Sequence, residues 1–271
     1  MAFYDLTKEE RANLVKGMHQ FMAREIENNS LKKMKLYFSD NDTYIRKSAY
    51  IILGRIYRSV SESRENIIEA LNELFGDHDF KVRQTTVNAA GEIGMTEFSP
   101  VKRFFDQGLF DSHHSVRNAV IGSIKKMSEK NPVPVLKWAR GYLHHPEYEI
   151  RREICHGIEL RGRTHPEDIL PMLKELQFDK TARVSNTLVH VLGQIAYKKG
   201  CLNTVIMHLN GWENEVLVKK AVAEIIDVHD RYKDFSILTQ KQAIDFINKE
   251  WRGSEIQGIK IQDAKNKTNH R

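Results

Sequence analysis

A helical pattern recurs six times along this chain, and four of the five intervals between its copies are 34 residues. The copies include DNDTYIRKSAYIILGRI, DHDFKVRQTTVNAAGEI and DKTARVSNTLVHVLGQI. They align on an apolar anchor at Ile45, Val82, Val116, Ile150, Val184 and Val218, spaced 37, 34, 34, 34 and 34. A period of this size is the signature of stacked helix pairs, in which each unit buries its apolar face only against its neighbours. The expected fold is therefore all-α: a right-handed α-solenoid of about six helix pairs with N-terminal and C-terminal capping helices. Function must then be sought on whichever helical face the stacking leaves open.

The repeat predicts a single array over residues 1–251, with second helices starting near 42, 79, 113, 147, 181 and 215. Each is preceded by a shorter first helix, near 31–38, 64–75, 98–109, 132–143, 166–176 and 201–210. Prolines at 100, 132, 134 and 166 fall near the starts of first helices, where a missing N–H costs little. Thr7-Lys8-Glu9-Glu10 forms a capping box that opens a leading helix, and a last helix near 237–251 ends at Trp251.

The formal net charge is +6. Five cations and two anions fall in the polar stretch 252–271, which accounts for +3 of it and reads as a basic, disordered tail. The array retains only about +3, which permits an anionic partner without demanding one. Two cysteines, Cys155 and Cys201, make no disulfide framework and fit a reducing cytoplasm. No apolar run approaches the roughly 18 residues of a membrane span. A soluble, cytoplasmic, monomeric protein without a cofactor is expected.

Within each second helix, positions 0, +4, +7, +8 and +11 from the anchor share one side and are mostly apolar, as in Val184, Leu188, Val191, Leu192 and Ile195. Arg161 and His229 depart from this at +11. Position −5 is mostly acidic (Asp40, Asp77, Asp111, Asp179, Glu213, with His145 in the fourth copy). Position +1 is mostly basic (Arg46, Arg83, Arg117, Arg151, Lys219, with Ser185 in the fifth). An acid and a base so placed suit a ladder of hydrogen bonds between repeats; the competing reading makes the arginines a phosphate-binding strip. The pattern D-x-x-x-x-V-R-x-x-A/V-x-x-x-L-G-x-I resembles the HEAT repeat over nearly the whole array. That resemblance implies that the second helices line a concave, ligand-facing surface.

Opposite the apolar columns lie positions +2, +6, +9 and +13. Columns +2 and +6 hold donors suited to phosphate and sugar: Lys47, Gln84, Asn88, Asn118, Arg152, His156, Asn186 and His190. Lys125 at +9 and Arg163 at +13 extend the set, giving a candidate nucleic-acid-binding surface that contacts the phosphate backbone. Gly54, Gly91, Gly122 and Gly193 fall on the same columns. They read either as places where a ligand approaches the helix or as a habit of HEAT-type sequences. Arg152, His156, Glu159 and Arg163 follow one another along one stripe, and Glu159 is the candidate catalytic carboxylate if the chain has a chemistry. The paired histidines His113-His114 and His144-His145 lack metal-ligand spacing, so no metal site is expected.

The stretch HPEYEIRREICHGIELRGRTHPEDILPMLKEL is also similar to bacterial HEAT-like alkylpurine DNA glycosylases, through Ile150-Arg151-Arg152 and His165-Pro166-Glu167. The resemblance spans little more than one repeat. It implies a DNA-binding, alkylation-repair-like protein, with glycosylase activity as the reaction if the chain is an enzyme, although an enzyme is the less favoured reading. The alternative is a non-catalytic protein-interaction scaffold that meets an acidic protein partner. A continuous positive surface would favour DNA, and a mixed or apolar one a protein.

Overall fold

The computed structural model describes residues 2–253, so all but Arg252 and Gly253 of the expected tail lie outside the described residues. Every regular element among the described residues is helical, and no helix is long and apolar enough to cross a membrane. The chain divides into two compact units, Met1–Arg161 and Gly162–Arg271.

The first unit contains α1 (Lys8–Glu27), α2 (Lys32–Ser39), α3 (Thr43–Ser59), α4 (Arg64–Phe75), α5 (Phe80–Gly94), α6 (Lys102–Gly108), α7 (His114–Lys130), α8 (Pro132–Arg140) and α9 (Tyr148–Gly157). A four-residue helix, α10 (Glu159–Gly162), follows in the chain. The second unit contains α11 (Pro166–Lys174), α12 (Ala182–Ala196), α13 (Leu202–Leu209), α14 (Glu215–Arg231) and α15 (Gln240–Glu250).

In the first unit α3, α5, α7 and α9 pack side by side in chain order, while α2, α4 and α6 brace α3, α5 and α7. In the second unit α12 packs against α14 and α11 against α13. This nearest-neighbour stacking of helix pairs is a HEAT-type α-solenoid arrangement. The second helices are buried along the repeated apolar columns: Ala49, Ile52, Leu53 and Ile56 in α3, and Val184, Leu188, Val191, Leu192 and Ile195 in α12. Each such Leu or Ile contributes about 1.5–3 kcal/mol on burial. His229, the polar exception in α14, is 1% exposed and sits 2.7 Å from the Ile225 carbonyl through Nδ1. The carbonyl can only accept, so the ring donates to its own helix, while burial lowers its pKa.

Local chemistry sets the helix starts. Asp42 and Asp79 accept the backbone N–H of Tyr44 and Lys81, Asn214 accepts that of Leu217, and Thr7 and Thr239 form capping boxes. Two boundaries differ from the sequence expectation. The stretch 98–109 opens with a 3-10 turn, Ser99–Val101, before α6 begins, because Pro100 cannot supply an internal helical N–H. The fourth second helix stops at Gly157 and resumes at Glu159 as α10, an interruption at Ile158 that follows Gly157, the residue type least inclined to helix after proline.

The acid and arginine columns are structural, and besides bridging repeats at Arg83–Asp111 they close their own turns. The +1 arginine turns back to its own interhelical turn. Arg46 donates to the carbonyls of Asp40 and Asn41, Arg83 to those of Asp77 and His78, Arg117 to those of Asp111 and Ser112, and Arg151 to those of His145 and Pro146. The −5 side chain accepts a backbone N–H two residues on: Asp40 from Asp42, Asp77 from Asp79, Asp111 from His113 and Asp179 from Thr181. His145 does the same through Nδ1 for Glu147. Each pair thus closes one turn and satisfies backbone groups that the helix ends leave open. Contacts between repeats are added at Lys35–Asp77 and Arg83–Asp111.

Candidate functional site

Helix α7 sits between α5 and α9, and its cations reach to both sides. Lys126 Nζ lies 3.1 Å from Glu92 Oε1 on α5 and 5.4 Å from the Tyr50 ring centroid. Lys125 Nζ lies 3.0 Å from Glu159 Oε2 and 2.9 Å from His156 Nε2, and His156 Nε2 is itself 3.2 Å from that same carboxylate oxygen. Arg117 Nε approaches Glu153 Oε1 at 3.6 Å. Adjacent lysines therefore serve opposite neighbours, because residues 100° apart on a helix face different ways.

Of the sequence-predicted residues, the structure brings Lys125, His156 and Glu159 together. Arg152 pairs with Glu149 at 2.7 Å and with Glu153 at 3.7 Å. Lys47 and Asn118 are exposed on α3 and α7, and Gln84 and Asn88 are half-buried on α5. In the second unit, Asn186 is exposed on α12 and His190 Nδ1 stands 4.0 Å from Glu224 Oε1. Arg163 Nη2 donates to Gln194 Oε1 at 2.8 Å.

Glu159 is only 2% exposed, and of column +9 only Asp227 is well exposed. Gly54, Gly91 and Gly193 are buried there because a neighbouring second helix crosses over them. A Cβ on Gly54 would stand 2.5 Å from Glu92 Cβ, on Gly91 2.5 Å from Ser123 Oγ, and on Gly193 2.6 Å from Glu224 Cγ. These glycines admit the next helix, not a ligand. Gly122 is different: it is exposed, with nothing within 4 Å of a Cβ.

Glu153 is a chemically unusual group that the sequence reading did not single out. Its side chain is 2% exposed, and Oε2 has no hydrogen-bond partner. Burial raises its pKa to about 7; Arg152 and Arg117 oppose the rise, and Glu149 adds to it. The folded protein therefore holds this proton to a higher pH than the unfolded chain does. The resulting stability is complete below the ordinary glutamate range near 4.5 and is lost as pH rises to about 7. Glu153→Gln cannot titrate, so the variant should gain on the order of 2 kcal/mol relative to wild type between pH 5 and pH 8. Denaturant unfolding at the two pH values reads this; a difference independent of pH would contradict it.

Residues 11–149 match a sequence family described as Cnd1, non-SMC mitotic condensation complex subunit 1. The match covers just over half of the 271 residues. The chain belongs to that family. The matched segment runs from within α1 to the start of α9, so it includes Arg117, Lys125 and Lys126 but not Glu153, His156 or Glu159. No curated protein sequence is similar enough to this chain to count as a match.

Among solved structures, the chain is similar to a TOG-domain array protein, crescerin, described as regulating microtubules in the primary cilium. Identity is 20% over 69% of this chain and 85% of that one, with a TM-score of 0.46. It is also similar to YibA of E. coli (18% identity, 89% and 88% covered, TM-score 0.42). A third similarity is to a computationally designed armadillo repeat protein for modular peptide recognition (18% identity, 72% and 98% covered, TM-score 0.33). Similarity at this level concerns fold alone.

Proposed function

We propose that this protein is a non-catalytic interaction scaffold whose second-helix face binds another protein. One observation carries the reading: three cations on that face are matched by carboxylates, Lys126 by Glu92 and Lys125 by Glu159 on neighbouring helices, and Arg152 by Glu149 and Glu153 on its own helix. A duplex binds a protein by exchanging condensed counterions for lysine and arginine, and a cation already held by a carboxylate has less to offer a phosphate. A mixed, hydrogen-bonding surface suits a protein partner, which supplies both charge signs and apolar side chains. The family description, a subunit of a complex, agrees with a part that acts by docking.

DNA binding through Lys47, Asn118 and Asn186, with alkylation repair beyond it, is the reading this one displaces. A base-excision role for Glu159 would require a substrate to reach a carboxylate that is 2% exposed and engaged by Lys125 and His156. Titration of a fluorescent DNA duplex tests the choice. The expected result is weak binding, with Kd in the roughly 10⁻⁴–10⁻⁶ M range of non-specific association at physiological salt. Tight, salt-steep binding would overturn it.

A further inference from the structure

Helix α1 precedes the first repeat, and its N-terminal half forms one wall of a cleft of about 750 Å³ whose other wall is α3. Its floor is apolar, built from Ala12 and Val15 of α1 and Phe3, over the buried Ile52 of α3. Its rim is basic: Lys8, Arg11, Lys16 and His19 from α1 and Arg55 from α3. No carboxylate lines it. Arg11 is partly committed, donating from Nη1 to the Leu6 carbonyl at 2.7 Å and lying over the Tyr4 ring. Lys8, Lys16, His19 and Arg55 form no ion pair among the described residues.

On the second helices, by contrast, Lys125 and Lys126 are met by carboxylates on adjoining helices. Like charges gathered around one cleft repel one another and focus a positive potential into it, an arrangement favoured when an anionic group occupies the space. The apolar floor selects among anions. A phosphate backbone has no aliphatic groups to lay on Ala12, Val15 and Phe3, whereas an acidic peptide segment carrying apolar side chains satisfies floor and rim together.

We infer that the α1/α3 cleft is a docking site for an acidic amphipathic peptide segment of a partner protein, with its apolar side chains on the floor and its carboxylates on Lys8, Lys16, His19 and Arg55. The inference rests on the scaffold reading for its partner class, but it uses a different surface.

The probe is a short synthetic helix with leucines along one side and glutamates elsewhere, measured by fluorescence anisotropy. The controls are the same peptide with alanine for leucine, the same peptide with lysine for glutamate, and a DNA duplex. The glutamate–leucine peptide should bind saturably. The alanine peptide should bind at least about tenfold more weakly, and the lysine peptide should not bind. Lys16→Glu with Arg55→Glu reverses two exposed charges without touching the core and should weaken the acidic peptide by about tenfold or more. Circular dichroism checks that this variant is folded, and Val15→Asp gives a second disruption at the floor.

Failure of the acidic peptide to bind, or binding unchanged by both variants, overturns the inference. So does equal binding of the peptide and the duplex with equal loss in the charge-reversed protein, which would make the cleft a general anion site. None of these outcomes alters the pairing of cations and carboxylates on the second helices, so the scaffold reading stands or falls separately.

Discussion

Arg83→Ala is expected to cost about 3–4 kcal/mol of folding stability, far more than the loss of a surface ion pair. Arg83 makes four bonds: Nη1 to the carbonyls of Asp77 and His78 at 2.9 and 3.0 Å, and Nε and Nη2 to the two Asp111 oxygens at 2.7 and 3.0 Å. The two side chains are 16% and 8% exposed, so water replaces little of what is removed. Truncation leaves a poorly solvated carboxylate facing no cation and two carbonyls without their donor. Burial alone would raise the Asp111 pKa, but Arg83 and the His113 N–H outweigh it and hold the group below the ordinary aspartate range. Arg83→Lys should recover only part of the loss, since an ammonium cannot reproduce the two-pronged contact. Urea unfolding of the three proteins measures this. A cost for Arg83→Ala below about 1 kcal/mol would place the clasp among ordinary surface pairs.

The second large effect separates two glycines that look alike in sequence. Gly91→Val is expected to destabilise by about 3 kcal/mol, because its Cβ would lie 2.5 Å from Ser123 Oγ and 2.7 Å from Ser123 Cβ on α7. Neither atom is the free end of a long side chain, so relief requires α5 and α7 to move apart along a contact buried by Ala89, Ala90 and Ile124. Gly122→Ala meets nothing within 4 Å and should stabilise by about 0.5–1 kcal/mol through helix propensity alone. Thermal unfolding of the two variants should therefore show shifts of opposite sign. Shifts of the same sign would mean that the helices of this layer are not in the close contact described.

What the sequence made legible follows from how each feature is encoded. The 34-residue period and the columns at 0, +4, +7, +8 and +11 are patterns of apolar side chains, and burial follows them at Val82, Ala89 and Ile93. The arginine clasp was visible as a column, but its main acceptors are carbonyls such as those of Asp77 and His78, which every residue carries and no side-chain pattern reveals. Columns such as +9 were misjudged because a helical wheel treats each helix as isolated. In a layer of parallel neighbours the flanks are covered as well, and so Glu159 and Gly91 are buried. Glu153 escaped notice because its neighbour Arg117 comes from another repeat, 36 residues away in the chain. The cleft beside α1 lies outside the repeat alignment altogether. Its signal was nonetheless present, in Lys8, Arg11, Lys16 and His19 set along one side of a single helix.

The central claim is that Lys125, Lys126 and Arg152 on the second helices are already answered by carboxylates of the protein itself. The most direct test is the affinity for a DNA duplex measured across a salt series. Each phosphate neutralised by a protein cation contributes a log–log slope of about −0.9, so the slope counts the cations free to engage DNA. The account predicts weak binding with a slope that Arg152→Ala leaves unchanged. Submicromolar binding with a slope steeper than about −4, reduced by Arg152→Ala, would contradict it.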